Sequence, residues 1–315
     1  MKPAFVRASL STFASAFGIA GTFALVTACS SCASTPAPAP SQVPPAAVPT
    51  GASATDSTAT TTATTVPSAT SEKLRAAVAG EARTDKERAR DGARHPAETL
   101  SFIGLREDAA VLELWPGGGY YTAILAPVLA DRGKLIVTHA DPKGDPKSEG
   151  TRDAQNLFDR FAKGPKVFGK VTGQLIATPN VDLGQSASVD FVLTFRNVHN
   201  WIEGGYAEKV FSEAFRVLKP GGVLGVEEHR GKPGLTLDAI KESGYVPESV
   251  VQHLAEQAGF RLAARSEVNA NPKDTKDYPN GVWSLPPSLA GKDVDRAKYV
   301  AIGESDRMTL RFVKP

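Results

Sequence analysis

Cysteine is almost absent from this chain: Cys29 and Cys32 are the only two among its 315 residues. Because none follows them, no disulfide can cross-link the segments after residue 32. Clusters of basic residues are also missing, and the formal net charge is only +2 at pH 7, so the composition argues against a nucleic-acid partner. The five histidines are scattered without metal-ligand spacing, so we predict no metal site.

The first 28 residues have the features of an export signal. Lys2 and Arg7 give a positive start, and an uncharged run continues to Ala28. Residues 26–29 read VTAC, which resembles the lipobox of bacterial lipoproteins. This resemblance implies that Cys29 is lipidated and anchors an exported protein to the membrane, at the periplasmic face of the bacterial cell envelope. The alternatives are an uncleaved anchor, or an ordinary signal peptide beside a free cysteine.

Composition divides the rest of the chain. Residues 33–70 are almost wholly Ala, Thr, Pro and Ser, with Asp56 as the one charged residue. Such a segment buries too little apolar surface to fold, so we predict a flexible tether over residues 29–71. Charge returns at Glu72, and we expect an N-terminal helical cap over residues 72–96. Its polar residues Asp91, Arg94 and His95 either face solvent or line a site. One large domain then covers residues 97–315.

The most informative stretch is residues 111–120, which read VLELWPGGGY. An apolar run with one carboxylate, Glu113, is followed by three glycines and then by an apolar, helix-like run over residues 121–130. This pattern predicts a buried strand that turns over a glycine loop into a helix. Such a loop lets the backbone approach a nucleotide-type ligand closely. Tight packing of strand against helix is the simpler alternative.

Strand-like and helix-like segments alternate along the domain, which predicts an α/β fold with a doubly wound, Rossmann-like and mostly parallel sheet, with helices on both faces. The last strand follows the sixth without a helical pattern between them, so we expect it to be antiparallel. The seven predicted strands cover residues 111–114, 134–138, 167–177, 189–195, 223–228, 261–268 and 308–313.

Three motifs resemble those of class I S-adenosylmethionine-dependent methyltransferases, and more narrowly those of a group of exported bacterial predicted methyltransferases. They are ELWPGGGYY at residues 113–121, RNVHNW at 196–201 and DRMTLRF at 306–312. The resemblance implies S-adenosylmethionine as cofactor and methyl transfer to an unknown small-molecule or envelope acceptor.

The same resemblance implies where the cofactor binds. In the family, an acid at the end of the first strand lies near the amino group of the ligand, and Glu113 occupies that position. The glycine loop, here Gly117, Gly118 and Gly119, lies beside the methionine and ribose portion. Trp115 stands where the family usually has glycine, and it is followed by Pro116, so we expect a remodelled methionine pocket.

The remaining cofactor positions follow other strands. The resemblance implies that Asp141, after the second strand, accepts both ribose hydroxyls, as a carboxylate can. Asp182 is the acid nearest to the adenine position after the third strand. Arg196 and Asn197 open the segment after the fourth strand, which faces the transferable methyl group. In open α/β sheets, ligands bind at these carboxyl ends of the strands.

His199 and His229 follow adjacent predicted strands, so both can face one cleft. An imidazole is a suitable general base near neutral pH, and we predict these two as the catalytic residues. The alternative is that each orders its own loop by a local hydrogen bond. Two functions stay open: a tethered methyltransferase, or a methyltransferase-like binding or scaffold protein without turnover. A dinucleotide oxidoreductase is disfavoured because the GxGxxG spacing is absent.

Overall fold

The computed structural model of the protein describes residues 68–315. The predicted export signal, Cys29 and nearly all of the predicted tether lie outside the described residues. Within residues 68–315, none of the helices has the length and apolar character needed to cross a membrane.

Seven strands form one sheet in the order β3-β2-β1-β4-β5-β7-β6. Every neighbouring pair is parallel except those of β7, which runs antiparallel to both β5 and β6. The predicted fold class, including the antiparallel last strand, is confirmed. The strands are β1 Ala110–Leu114, β2 Lys134–His139, β3 Thr172–Leu175, β4 Val189–Phe195, β5 Leu218–His229, β6 Arg261–Ser266 and β7 Arg307–Val313.

Helices cover both faces of this sheet. They are α1 Ser68–Ala79, α2 Asp85–Arg88, α3 Asp91–Arg94, α4 Pro96–Ile103, α5 Thr122–Leu129, α6 Glu149–Lys163, α7 Pro165–Phe168, α8 Val198–Glu203, α9 Ala207–Val217, α10 Leu237–Ser243, α11 Glu248–Gln257 and α12 Arg296–Ile302, with a 3-10 turn at Gly281–Ser284.

Alternation of side chains along the strands creates two apolar cores. Val111 of β1 belongs to the core under α1, α4 and α5, whereas its neighbour Leu112 belongs to the core under α8, α9 and α11. Successive residues of a strand point to opposite faces, so the central strands, apolar on both sides, are buried by both helical layers. Because β1, β4 and β5 are neighbouring parallel strands, their carboxyl ends meet at one edge of the sheet.

Several boundaries differ from the sequence-based expectations: β5, for example, begins at Leu218 instead of residue 223. Helix α1 begins at Ser68, inside the predicted tether, because Leu74 and Ala77 are buried and pack the helix against the domain. The predicted third strand begins with helix α7 instead, and β3 is only four residues long. Pro165 at the first turn of α7 favours a helix start, and local pattern alone did not reveal it.

Candidate active site

The glycine loop lies where β1 ends and before α5 begins. Three of its residues have positive φ: Trp115 at 43°, Gly117 at 55° and Gly119 at 79°. This left-handed region suits glycine but costs energy for a bulky residue such as Trp115. Trp115, which stands where the family usually has glycine, therefore introduces local strain into the backbone.

Neighbouring side chains hold Trp115 in this conformation. Its N–H donates to Oγ1 of Thr138 at 2.7 Å, and its ring packs on Trp201 with the ring centroids 5.1 Å apart. Asn197, after β4, donates from Nδ2 to the carbonyl oxygen of Leu114 at 3.1 Å and to Oγ1 of Thr194 at 3.2 Å. Asn197 thus ties the start of the glycine loop to the end of β4.

Glu113 sits beneath the loop and is 1% exposed. Its Oε2 accepts a hydrogen bond from Oγ1 of Thr122 at 2.6 Å. Burial raises the pKa of Glu113 to about 7, because few groups nearby compensate a buried negative charge. This carboxyl group is therefore suited to a cationic partner such as an amino group of a ligand.

The open face of the loop supports the implied cofactor. A Cβ atom added to Gly117 or Gly118 would meet no other atom within 4 Å, so the backbone borders free space. On the other side, Nη1 of Arg160 donates to the carbonyl oxygen of Gly118 at 2.6 Å and fixes the turn. An exposed glycine backbone above a buried carboxyl group fits the amino-acid end of S-adenosylmethionine.

A cavity of about 300 Å³ lies beside the loop, at the carboxyl ends of β4 and β5. Arg94 links the cavity lining to the residue that follows the loop, since its guanidinium group lies 4.6 Å from the ring centroid of Tyr120. The hydroxyl of the next residue, Tyr121, donates to Oε2 of Glu227 at 2.9 Å. The cavity is lined by Arg90, Arg94, Arg196, His199, His229, Val282, Trp283, Pro286, Pro287, Ser288, Glu304 and Ser305.

His199 reaches this cavity from the first turn of α8. Its Nδ1 lies 3.0 Å from Oε1 of Glu228, whose other oxygen accepts the backbone N–H of Val198 at 2.6 Å. Because the other partners of Glu228 are backbone donors, its oxygens act as acceptors and we assign the imidazole proton to Nδ1. Nε2 of His199 is then left with a free lone pair on a cavity-lining side chain.

His229 lies beside His199, with the two ring centroids 5.2 Å apart. Its Nδ1 lies 2.6 Å from Oγ of Ser305. Burial, followed by the nearby His199 and Arg196, lowers the pKa of His229 well below its ordinary value. The structure thus brings the two predicted histidines together, and the lowered pKa makes His229 a poor proton acceptor.

His199, Glu228 and His229 form a group whose ligand atoms lie within 4.8 Å of one another. Sequence spacing did not indicate it, because its members come from α8 and the end of β5. Both carboxylate oxygens of Glu228 already accept backbone N–H groups, from Val198 and from His229. We therefore describe the group as a hydrogen-bonded imidazole–carboxylate pair with a second imidazole beside it.

Charged side chains also line the cavity. Glu304 accepts from Nε of Arg90 at 2.6 Å and from Nε of Arg94 at 3.0 Å. Burial would raise the pKa of Glu304, but Arg94, Arg307 and Arg90 outweigh it and lower the pKa to about 2. Below them, Arg196 donates from Nη1 to Oε1 of the fully buried Glu227 at 2.8 Å.

The remaining predicted cofactor residues lie farther from this cluster. Asp141 follows β2 at the same edge of the sheet, is exposed, and accepts the backbone N–H of Lys143 at 2.8 Å. Its role toward a ribose stays a prediction. Asp182 lies between β3 and β4, where its carboxylate pairs with Arg216 of α9 at 2.9 Å and its carbonyl oxygen accepts from Nε2 of Gln174 in β3. Its role toward an adenine also stays a prediction.

Several cavity residues were missed by sequence reasoning, above all Arg90, Glu228 and Glu304. Arg90 and Glu304 are 214 residues apart, and only the antiparallel return of β7 brings them together. Arg94 was a candidate site residue because it lies close to the glycine loop in sequence. Glu228 could have been recognised as an acid beside a predicted base at a strand end.

Residues 112–226, from β1 into β5, match the family model described as a methyltransferase domain. No curated protein matches the chain. Among solved structures, the chain is similar to a SAM-dependent methyltransferase from Aquifex aeolicus, at 17% identity over 72% of this chain and 93% of that one, with a TM-score of 0.47.

Two further similar structures differ in the reaction named for them. One is an arsenic(III) S-adenosylmethionine methyltransferase from Chlamydomonas reinhardtii, at 15% identity over 77% of this chain and 73% of that one, with a TM-score of 0.44. The other is the 4+2 cyclase SpnF, at 16% identity over 78% and 93%, with a TM-score of 0.50. Similarity at this level of identity shows the fold alone.

The domain match and the site agree with each other. Residues 112–226 match a methyltransferase domain, which supports S-adenosylmethionine as the cofactor. The open glycine loop above Glu113 is consistent with that cofactor on structural grounds.

Proposed function

We propose that this protein transfers a methyl group from S-adenosylmethionine to a small acceptor bound in the cavity, with His199 as the general base. The observation that carries the proposal is the His199–Glu228 pair, 3.0 Å apart, whose imidazole lines a cavity of about 300 Å³. Asn197 links this wall of the cavity to the glycine loop through the carbonyl of Leu114. This link supports a site in which the base and the cofactor loop act together.

The division of labour follows from the side chains. S-adenosylmethionine supplies an electrophilic methyl group when bound. Nε2 of His199 removes the proton of an acceptor oxygen or nitrogen, which contributes about 10²–10⁴-fold where that proton must leave. Glu228 fixes the tautomer and stabilises the imidazolium that forms. The cavity walls hold the acceptor, so that the reaction becomes effectively unimolecular.

We also propose that the domain is held at the membrane through lipidated Cys29, at the end of the predicted tether. The support is the lipobox-like VTAC segment after an uncharged run that follows Lys2 and Arg7. Fractionation of cells that express Cys29→Ser should move the protein from the membrane to the soluble fraction, whereas Cys32→Ser should leave it in place. Membrane retention of Cys29→Ser would refute this anchor.

Calorimetry on the full chain tests the cofactor site. We expect S-adenosylmethionine and S-adenosylhomocysteine to bind, and Gly118→Val to abolish both, because its side chain enters the free space in front of the loop. Gly92→Val is the matched control, since a Cβ there also meets no atom within 4 Å. Failure of both ligands to bind the wild-type protein would remove the methyltransferase proposal.

Turnover is tested with S-adenosylmethionine labelled in its methyl group and a small-molecule extract of the cell envelope. His199→Gln should bind the cofactor like the wild type, but its rate of label transfer should fall by a factor of about 100 or more. Cofactor binding without transfer by the wild-type protein would instead support the scaffold alternative.

A further inference from the structure

The cavity that His199 lines is also lined by guanidinium groups whose outer nitrogens are unused. Arg90 and Arg94 both hydrogen-bond to Glu304 through Nε. Among residues 68–315, all their hydrogen bonds are made through Nε and none through the Nη atoms, although Arg94 is only 4% exposed. Arg94 rests on the ring of Tyr120, which fixes its plane without using its outer N–H groups.

Arg196 adds a third guanidinium group from the floor of the cavity. It is anchored by Nη1 to Glu227, and its backbone N–H donates to the carbonyl oxygen of the same residue at 2.7 Å. Its φ is +60°, a left-handed conformation that a bulky residue rarely adopts. This unusual backbone directs Arg196 along the end of β4 and into the lining of the cavity.

The fixed charges around the cavity do not cancel. Four arginines, the three above and Arg307 behind them, pair with only two buried carboxylates, Glu227 and Glu304. Burial, followed by the charge of Arg196, lowers the pKa of Arg94 to about 10, and the pKa of His229 is also lowered. Burial is the largest cause of both shifts, and the neighbouring arginines act in the same direction. The pKa of Arg196 is raised instead, because Glu227, Tyr121 and Glu304 together outweigh its burial.

We propose that the acceptor carries an oxyanion, a carboxylate or a phosphate, which binds between the guanidinium groups of Arg90, Arg94 and Arg196. This rests on the proposed function and names its substrate class. Planar guanidinium groups with free outer N–H donors match the paired oxygens of these anions. The oxyanion end then lies against the arginines, and the oxygen or nitrogen to be methylated lies toward Nε2 of His199. A cavity of about 300 Å³ restricts the acceptor to a small molecule.

Calorimetry on the full chain without cofactor, with inorganic phosphate and with malonate as probes, tests the site. We expect both anions to bind. Ser288→Glu, which adds a carboxylate at an exposed position of the cavity lining, should weaken binding at least tenfold. Ser288→Gln, which has the same size without the charge, is the matched neutral control and should bind both anions more tightly than Ser288→Glu.

Arginine variants locate the anion. Arg94→Gln should weaken binding about tenfold or more, because charge-assisted hydrogen bonds are lost. Arg265→Gln removes the same charge from the surface pair with Glu248 and should have no effect. Thermal unfolding of each variant without ligand shows whether Arg94→Gln is still folded.

The outcomes separate this inference from the proposed function. If S-adenosylmethionine binds but neither anion does, or if Ser288→Glu binds them like the wild type, the oxyanion inference is overturned. Phosphate that competes with S-adenosylmethionine would also overturn it, because the arginines would then hold the cofactor. If the anions bind but the cofactor does not, the methyltransferase proposal fails, and with it the anion's role as acceptor.

Discussion

Two buried glutamates, one in each half of the site, respond oppositely to their surroundings. Glu113 beneath the glycine loop has a hydroxyl partner, Thr122, and its pKa is raised to about 7. Glu304 at the cavity faces three arginines, and its pKa is lowered to about 2. In the loop half, glycine backbone lies beside Glu113, an acid with no cationic side chain bonded to it. In the cavity half, Glu304 is surrounded by charged side chains. This contrast indicates that the two halves recognise ligands of opposite local charge.

The largest effect is expected from breaking the cavity half. Glu304→Gln removes the carboxylate that compensates Arg90, Arg94 and Arg307, and leaves guanidinium groups buried without it. Loss of one partner of a buried ion pair typically costs about 3–5 kcal/mol, so we expect a decrease of that size in the free energy of unfolding. Urea denaturation at pH 7 measures it.

Glu267→Gln is the control for this variant, because it breaks a pair between Arg230 and a side chain that is 68% exposed. An exposed pair contributes about 0–1 kcal/mol. Equal losses for the two variants would show that the buried arginines do not depend on Glu304.

A smaller, pH-dependent effect is expected in the loop half. The folded pKa of Glu113 is about 7, above the ordinary value of 4.5, so the folded state binds more protons between these values. The free energy of unfolding therefore falls as pH rises from about 4.5 through 7, by up to about 3 kcal/mol. Glu113→Gln is neutral throughout and should be more stable than the wild type at pH 8 but similar at pH 4.5.

Denaturation at both pH values tests this sign, with Glu98→Gln on the exposed side of α4 as a variant expected to follow the wild type. The lowered pKa of Glu304 has the opposite consequence, since its contribution is present above pH 4.5 and is lost as pH falls toward 2. If Glu113→Gln kept the wild-type dependence between pH 4.5 and 8, the buried acid would not be the cause.

The same contrast explains what the sequence could predict. The glycine loop and Glu113 occupy ten consecutive residues, so local pattern predicts the strand, the turn and the buried acid together. His199 and His229 were predicted as neighbours because both follow parallel strands of one sheet. Arg90 and Glu304 were not, since their pairing depends on how α2, α3 and the segment before β7 pack. The left-handed φ of Arg196 could not be predicted either, because the sequence has no glycine at this position to indicate it.

The central claim is that cofactor loop and oxyanion cavity are adjacent parts of one methyl-transfer site. A crystal structure of the full chain with S-adenosylhomocysteine and phosphate tests it most directly. We predict the cofactor product on the backbone of Gly117 and Gly118, and phosphate on Arg90, Arg94 and Arg196, with His199 between the two. A structure with the carboxylate of S-adenosylhomocysteine bound to those arginines, or with phosphate bound elsewhere, would contradict the account.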